Sequence, residues 1–205
     1  MKKGLALILA GSMLFLTGCA EIAGQVISSV VNGEEAEYEE EYEGEYEVDQ
    51  VIAVDGYDIE VGFCDGWERR SDGETAFDLQ CIYGDDDACA SFFYFYYVDL
   101  TEDTTAEDVF EIQNQEIIGK RDHVVILEEA SERKSGDKTI QSLLFSAENE
   151  GHKNYYYTHL VEFGKGSDQF AWVLFTCMPS DMDKFRAEFD EIIDSLEYTG
   201  EGTAL

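Results

Sequence analysis

Four cysteines (Cys64, Cys81, Cys89 and Cys177), three histidines (His123, His152 and His159) and the run Asp85-Asp86-Asp87 offer the widest chemistry in this sequence. A thiol nucleophile needs an imidazole within hydrogen-bond reach. If Gly164–Asp168 closes a symmetric hairpin, His159 faces Val173 and Cys177 faces Tyr155. His159 and Cys177 then stand roughly 13 Å apart, at about 3.3 Å per strand residue, and form no dyad. The histidines lack H-E-x-x-H spacing, and there is neither a G-x-S-x-G elbow nor a phosphate-binding glycine loop. No cysteine pair has C-x-x-C spacing, which argues against a zinc knuckle or a thioredoxin-type motif. No cofactor is expected. Asp85, Asp86 and Asp87 could gather calcium, a hard cation that favours several carboxylates. Three adjacent aspartates cannot all point inward, however, so a solvated turn is favoured. Trp67 and Trp172, beside many tyrosines, suit a sugar or peptide platform, although aromatic strands are also ordinary sheet core.

The fifth cysteine stands apart. Lys2-Lys3 precedes an apolar run from Gly4 to Thr17, which ends in Leu16-Thr17-Gly18-Cys19. A charged start, a short apolar stretch and a small-residue cleavage site make a signal peptide. The run is too short to cross a bilayer. The stretch resembles the lipobox of bacterial lipoproteins, in which the cysteine thiol is acylated and becomes the mature N-terminus. That resemblance implies removal of residues 1–18, lipidation of Cys19 (diacylglyceryl and palmitate chains), and anchorage to the extracytoplasmic side of the cell membrane.

An even number of remaining cysteines in an exported domain permits two disulfides. Cys81 and Cys89 flank the acidic turn, and a register centred on Asp85 sets them opposite each other at bridging distance. A one-residue slip would send them to opposite faces. The expectation is Cys81–Cys89, which leaves Cys64–Cys177; four buried free thiols are the alternative.

Thirteen Lys and Arg stand against 46 Asp and Glu in the 205 residues, a formal net charge of −33. Such a field repels phosphate backbones and anionic headgroups, which disfavours nucleic acid as a partner. Hydrophobic residues at 44% and aromatics at 13% supply one packed core. Residues 19–50 read as a tether. Ile22, Val26, Ile27, Val30 and Val31 follow the lipid site, and then Tyr38, Tyr42 and Tyr46 recur every fourth residue among glutamates. A recognition or cation-binding tail is one reading of this stretch; the favoured expectation is a self-repelling, solvated, disordered linker. Residues 51–199 form the folded domain and 200–205 a flexible tail.

Within the domain, Tyr57 to Phe63 alternates as a half-buried strand. Asp65-Gly66 turns the chain and presents Trp67. A strand follows over Thr75–Tyr83, and the aromatic run Ala90–Val98 is apolar on both sides, which places it inside a sheet. Thr104-Thr105-Ala106-Glu107-Asp108 opens a helix through a capping box. Val109, Phe110, Ile112, Ile117 and Ile118 form its apolar side, and Gly119 its end. His123–Glu132, Lys138–Ala147 and Lys153–Phe163 make a meander, followed by Gln169–Cys177, again apolar on both faces. Pro179 stops that strand and Ser180 caps a last helix. There Met182, Phe185, Phe189, Ile192 and Leu196 share one face.

The fold class is α+β: an antiparallel sheet with helices on its faces. The element order, with Phe63 and Gly66-Trp67 at a strand end, resembles the PsbP-like α-β-α sandwich. Photosystem accessory proteins, a Ran-binding factor and several bacterial lipoproteins share that fold. Cys64-Asp65 stands where family members often carry a proline. The resemblance implies a non-enzymatic module that binds or assists an envelope protein or ligand, here still unidentified. The competing readings are a small thiol-dependent surface enzyme and a calcium-responsive acidic surface protein.

Overall fold

The structure, a computed structural model, describes residues 47–54, 56–70, 76–85 and 87–200. Cys19, the signal segment, most of the tether and the tail after Gly200 lie outside the described residues, as does Asp86. In chain order the strands β1 (Gln50–Ala53), β2 (Ile59–Phe63), β3 (Trp67–Arg69), β4 (Leu79–Tyr83) and β5 (Ala88–Tyr96) lead into helix α1 (Ala106–Ile118). A meander follows, β6 (Asp122–Ser135), β7 (Lys138–Asn149), β8 (His152–Glu162) and β9 (Gln169–Cys177), then helix α2 (Met182–Ser195) and β10 (Glu197–Tyr198).

Among the described residues the strands make two antiparallel sheets rather than one. Seven run in the order β3-β4-β5-β9-β8-β7-β6, and β1-β2-β10 form a separate three-stranded sheet. The two doubly apolar strands, β5 and β9, pair along their whole length from Ala88↔Cys177 to Tyr96↔Gln169. They sit at the middle of the large sheet because both of their faces need cover. On one side Phe63, Phe92, Val173 and Phe175 pack with Phe185, Phe189 and Ile192 of α2. On the other, Phe145, Tyr156, Leu160, Phe170 and Trp172 pack under Val109 and Phe110 of α1. The result is an α-β-α sandwich, with the small sheet sharing the α2 side.

Helix α1 starts where its cap dictates. Thr105 Oγ1 accepts from Asp108 N (3.1 Å) and Asp108 Oδ2 accepts from Thr105 N (2.7 Å), which satisfies two of the free amides at the helix start. Ile112 departs from the expected apolar side and is 45% exposed, while Asn114 is buried in its stead. All five residues of the α2 face are buried, from Met182 to Leu196. Ser180 does not cap α2. It lies in a short 3-10 turn, Pro179–Asp181, and Asp181 stands at the N-cap without a side-chain bond. At the other end buried Lys138 donates its Nζ to the carbonyls of Asp194 and Leu196, the latter at 2.8 Å. These are the carbonyls a helix end leaves unmatched.

Candidate functional site

All four domain cysteines are free. The expected Cys81–Cys89 bridge does not form. The closing pair of the β4–β5 hairpin is Tyr83↔Ala88, so Cys81 lies opposite Ala90 and Cys89 opposite Ile82. That register sends the two sulfurs to opposite faces of the sheet, one buried in the α2-side core and one half-buried on the other side. The Cys64–Cys177 pairing is absent too, because each sulfur has another partner. Cys64 Sγ donates to Glu188 Oε1 at 2.7 Å, and Cys177 Sγ lies 3.8 Å from Met182 Sδ. Burial, then the hydrogen bond to Glu188, pushes the Cys64 thiol up to about 12. Burial alone is the leading cause for Cys81 and Cys177, also pushed up to about 12. At neutral pH these sulfurs are thiols, poor nucleophiles and poor metal ligands.

Trp67 and Trp172 are core and form no platform. They are 3% and 1% exposed, and the Trp67 indole donates to the same Glu188 oxygen that receives Cys64. Asp85 and Asp87 are exposed at the β4–β5 turn. Among the described residues no three His, Cys, Asp or Glu side chains converge on a point where a metal ion could be held.

His159 faces Val173, and Cys177 faces Tyr155, as the symmetric β8–β9 hairpin requires. The imidazole is fully enclosed. Its Nδ1 shares a 2.9 Å hydrogen bond with Ser142 Oγ, its ring meets Tyr157 edge-on at 4.0 Å, and Phe175 closes it at 5.7 Å. Burial, helped by the guanidinium charges of Arg133 and Arg186, holds it well below the usual histidine value. It is neutral at pH 7 and has no exposed surface. His123 and His152 are exposed on the far hairpin, with His123 Nδ1 at 3.0 Å from Glu148.

Above His159 runs a polar seam that sequence reasoning missed. Arg186, Asp190 and Asp194 recur every fourth residue along α2 and all face the outer strands of the sheet. Arg186 holds Glu128 of β6 through two bonds (2.6 and 2.9 Å) and lies 4.3 Å over the Tyr157 ring. Asp190 accepts from Tyr157 Oη at 2.9 Å, and Asp194 from Arg133 Nη1 at 2.7 Å. The stripe clamps the last helix onto β6 and β8. Beside it, the β6–β7 turn, the β8–β9 loop and the segment after α2 frame an open, polar cleft of about 660 Å³ with Lys138 in its lining. With thiols protonated, the imidazole enclosed and these charges paired, the arrangement is suited to holding a surface in shape.

No protein-family model and no curated protein sequence matches the chain. Solved structures do. The cyanobacterial PsbP protein CyanoP of Synechocystis aligns with a TM-score of 0.55 at 12% identity, over 77% of this chain and 95% of that one. LpqN of Mycobacterium tuberculosis, described as involved in cell envelope biogenesis, gives 0.54 at 13%, over 69% and 83%. The Ran-binding protein Mog1p of Saccharomyces cerevisiae gives 0.51 at 7%, over 73% and 95%. Identities this low speak for architecture alone, and that architecture, two helices sandwiching an antiparallel sheet, is the PsbP-like fold.

Proposed function

We propose that this chain is a lipid-anchored, extracytoplasmic and non-enzymatic module that binds or assists another protein of the cell envelope. The observation that carries the reading is the state of the reactive groups. Cys64 is bonded to Glu188, Cys81 and Cys177 are buried thiols, and His159 is sealed beneath α2. Support also comes from the proteins that share the fold, one named for binding Ran and one for envelope biogenesis. The stretch Leu16-Thr17-Gly18-Cys19 supplies the anchor. Among the described residues no helix is long and apolar enough to cross a membrane.

Two measurements test the reading. Labelling with a palmitate analogue should mark the wild-type chain and spare Cys19→Ser, which should also leave the membrane fraction. Affinity capture from detergent-solubilised membranes should recover one partner in stoichiometric amount. An unlabelled wild-type chain overturns the anchor, and repeated recovery of the bait alone overturns the module.

A further inference from the structure

We propose that the outer edge of β6 is the docking site for an extended, lysine- or arginine-bearing segment of another protein, which adds to the large sheet as one more strand. This rests on the binding-module reading and names the site and the chemistry of the partner. Among the described residues β6 is the last strand of its sheet and pairs only with β7, so its other edge presents backbone donors and acceptors that no described strand takes.

The side chains along that edge are sorted by charge. The basic side chains of β6 are drawn back onto the protein: Arg133 to Asp194 and Lys134 to Thr139, with the His123 ring on Glu148. Glu128 is taken by Arg186. Asp122, Glu129 and Glu132 are exposed and have no ion-pair partner among the described residues. Beside them Val125 and Leu127 are 47% and 40% exposed on a strand whose neighbouring Val124 and Ile126 pack inward. An edge that offers backbone groups, two apolar side chains and three carboxylates with no described ion-pair partner complements an extended segment alternating apolar and basic residues.

A second copy of this chain fits the edge poorly. The β6–β7 register shifts between Asp122 and Val125, between Ile126 and Glu128, and between Glu128 and Ser131. Bulges of this kind bend an edge away from another preformed sheet, whereas a short free segment can follow the bend. The like charge of two chains at −33 each opposes self-pairing as well.

The test uses the full chain in detergent micelles and two end-capped nonapeptides, one alternating lysine with valine and one alternating glutamate with valine. With the lysine peptide, amide NMR at low salt should show saturable shifts and slowed exchange confined to Asp122–Ser135. Binding should weaken about tenfold in the double variant Glu129→Lys/Glu132→Lys and fall further as salt is added. The glutamate peptide should not bind. Absence of saturable binding, shifts spread over other acidic surfaces such as α1, or unchanged affinity in the double variant each overturn the proposal. So does concentration-dependent dimerisation through β6. A membrane partner whose contacts fall off β6 overturns this inference and leaves the accessory-module reading standing; peptide binding at β6 without any membrane partner does the reverse.

Discussion

Arg186 grips Glu128 with two parallel hydrogen bonds of 2.6 and 2.9 Å, so that the last helix of the chain is bolted to the outermost strand of the sheet. The same guanidinium lies over the Tyr157 ring and reaches Asp190 at 3.4 Å. Arg186→Ala should lower unfolding stability by about 1–2 kcal/mol in urea, more than an ordinary half-exposed ion pair, because packing on the ring is lost with the charge. Arg186→Lys should recover less than half of the loss, since an ammonium cannot reproduce the fork. Full recovery by lysine would show that only the charge matters.

His159 supplies a pH dependence with a definite sign. Its folded-state value lies well below the ordinary histidine value, with burial the main cause. Below about pH 6.5 the unfolded chain therefore binds a proton that the folded one refuses. Stability should fall as pH drops from about 7.5 to about 5.5, with a limiting slope of roughly 1.4 kcal/mol per pH unit from this group. His159→Met should flatten that slope, while losing stability at neutral pH because the Ser142 hydroxyl is left without its partner. An unchanged slope in the variant would assign the dependence to other groups.

Cys64 tests the reading of the thiols. Glu188→Gln removes the negative charge that, after burial, holds this thiol up near 12. The variant should alkylate several-fold faster at mildly alkaline pH than the wild type. In denaturant without reductant, all four domain cysteines should be modified, because all are free in the folded structure. Fewer modified sites would mean that bridges form after all.

Phe189 is the centre of the helix–sheet contact. It is fully buried, stacked on Phe175 at 4.4 Å and on Phe185 at 5.7 Å, with Trp67 edge-on at 6.3 Å. Phe189→Ala should destabilise by about 3–5 kcal/mol, a large part of the stability of an ordinary domain, and Phe189→Leu by less. Chemical denaturation measures both, and a loss below about 1 kcal/mol for alanine would mean that α2 is not held by this face.

The parts of this fold that the sequence made legible are those in which one physical rule acts alone. The α2 stripe from Met182 to Leu196 is a single amphipathic signal, and the β8–β9 register follows from one symmetric loop. The β4–β5 hairpin lies one residue from the register expected of a turn centred on Asp85, since its closing pair is Tyr83↔Ala88. With a side-chain period of two, that slip decides whether Cys81 can meet Cys89. The separate β1-β2-β10 sheet was hidden because β10 spans only Glu197 and Tyr198. The clamp of Arg186, Asp190 and Asp194 reads in sequence as a solvated helix face; only the fold shows that it looks toward β6. The β6 carboxylates without an ion-pair partner among the described residues are equally invisible amid so many acidic residues.

The pairing of β5 with β9 constrains the order in which the molecule can assemble. A chain emerging from its N-terminus makes β5 long before β9, its neighbour on the second edge, exists, since α1 and β6 to β8 intervene. Until Gln169–Cys177 arrives, the aromatic run of β5 has a vacant flank, and the two halves of the large sheet are separate, sticky fragments. Completion must therefore come late and almost all at once, and a chain cut after Gly164 should be recovered as aggregate instead of a smaller folded body.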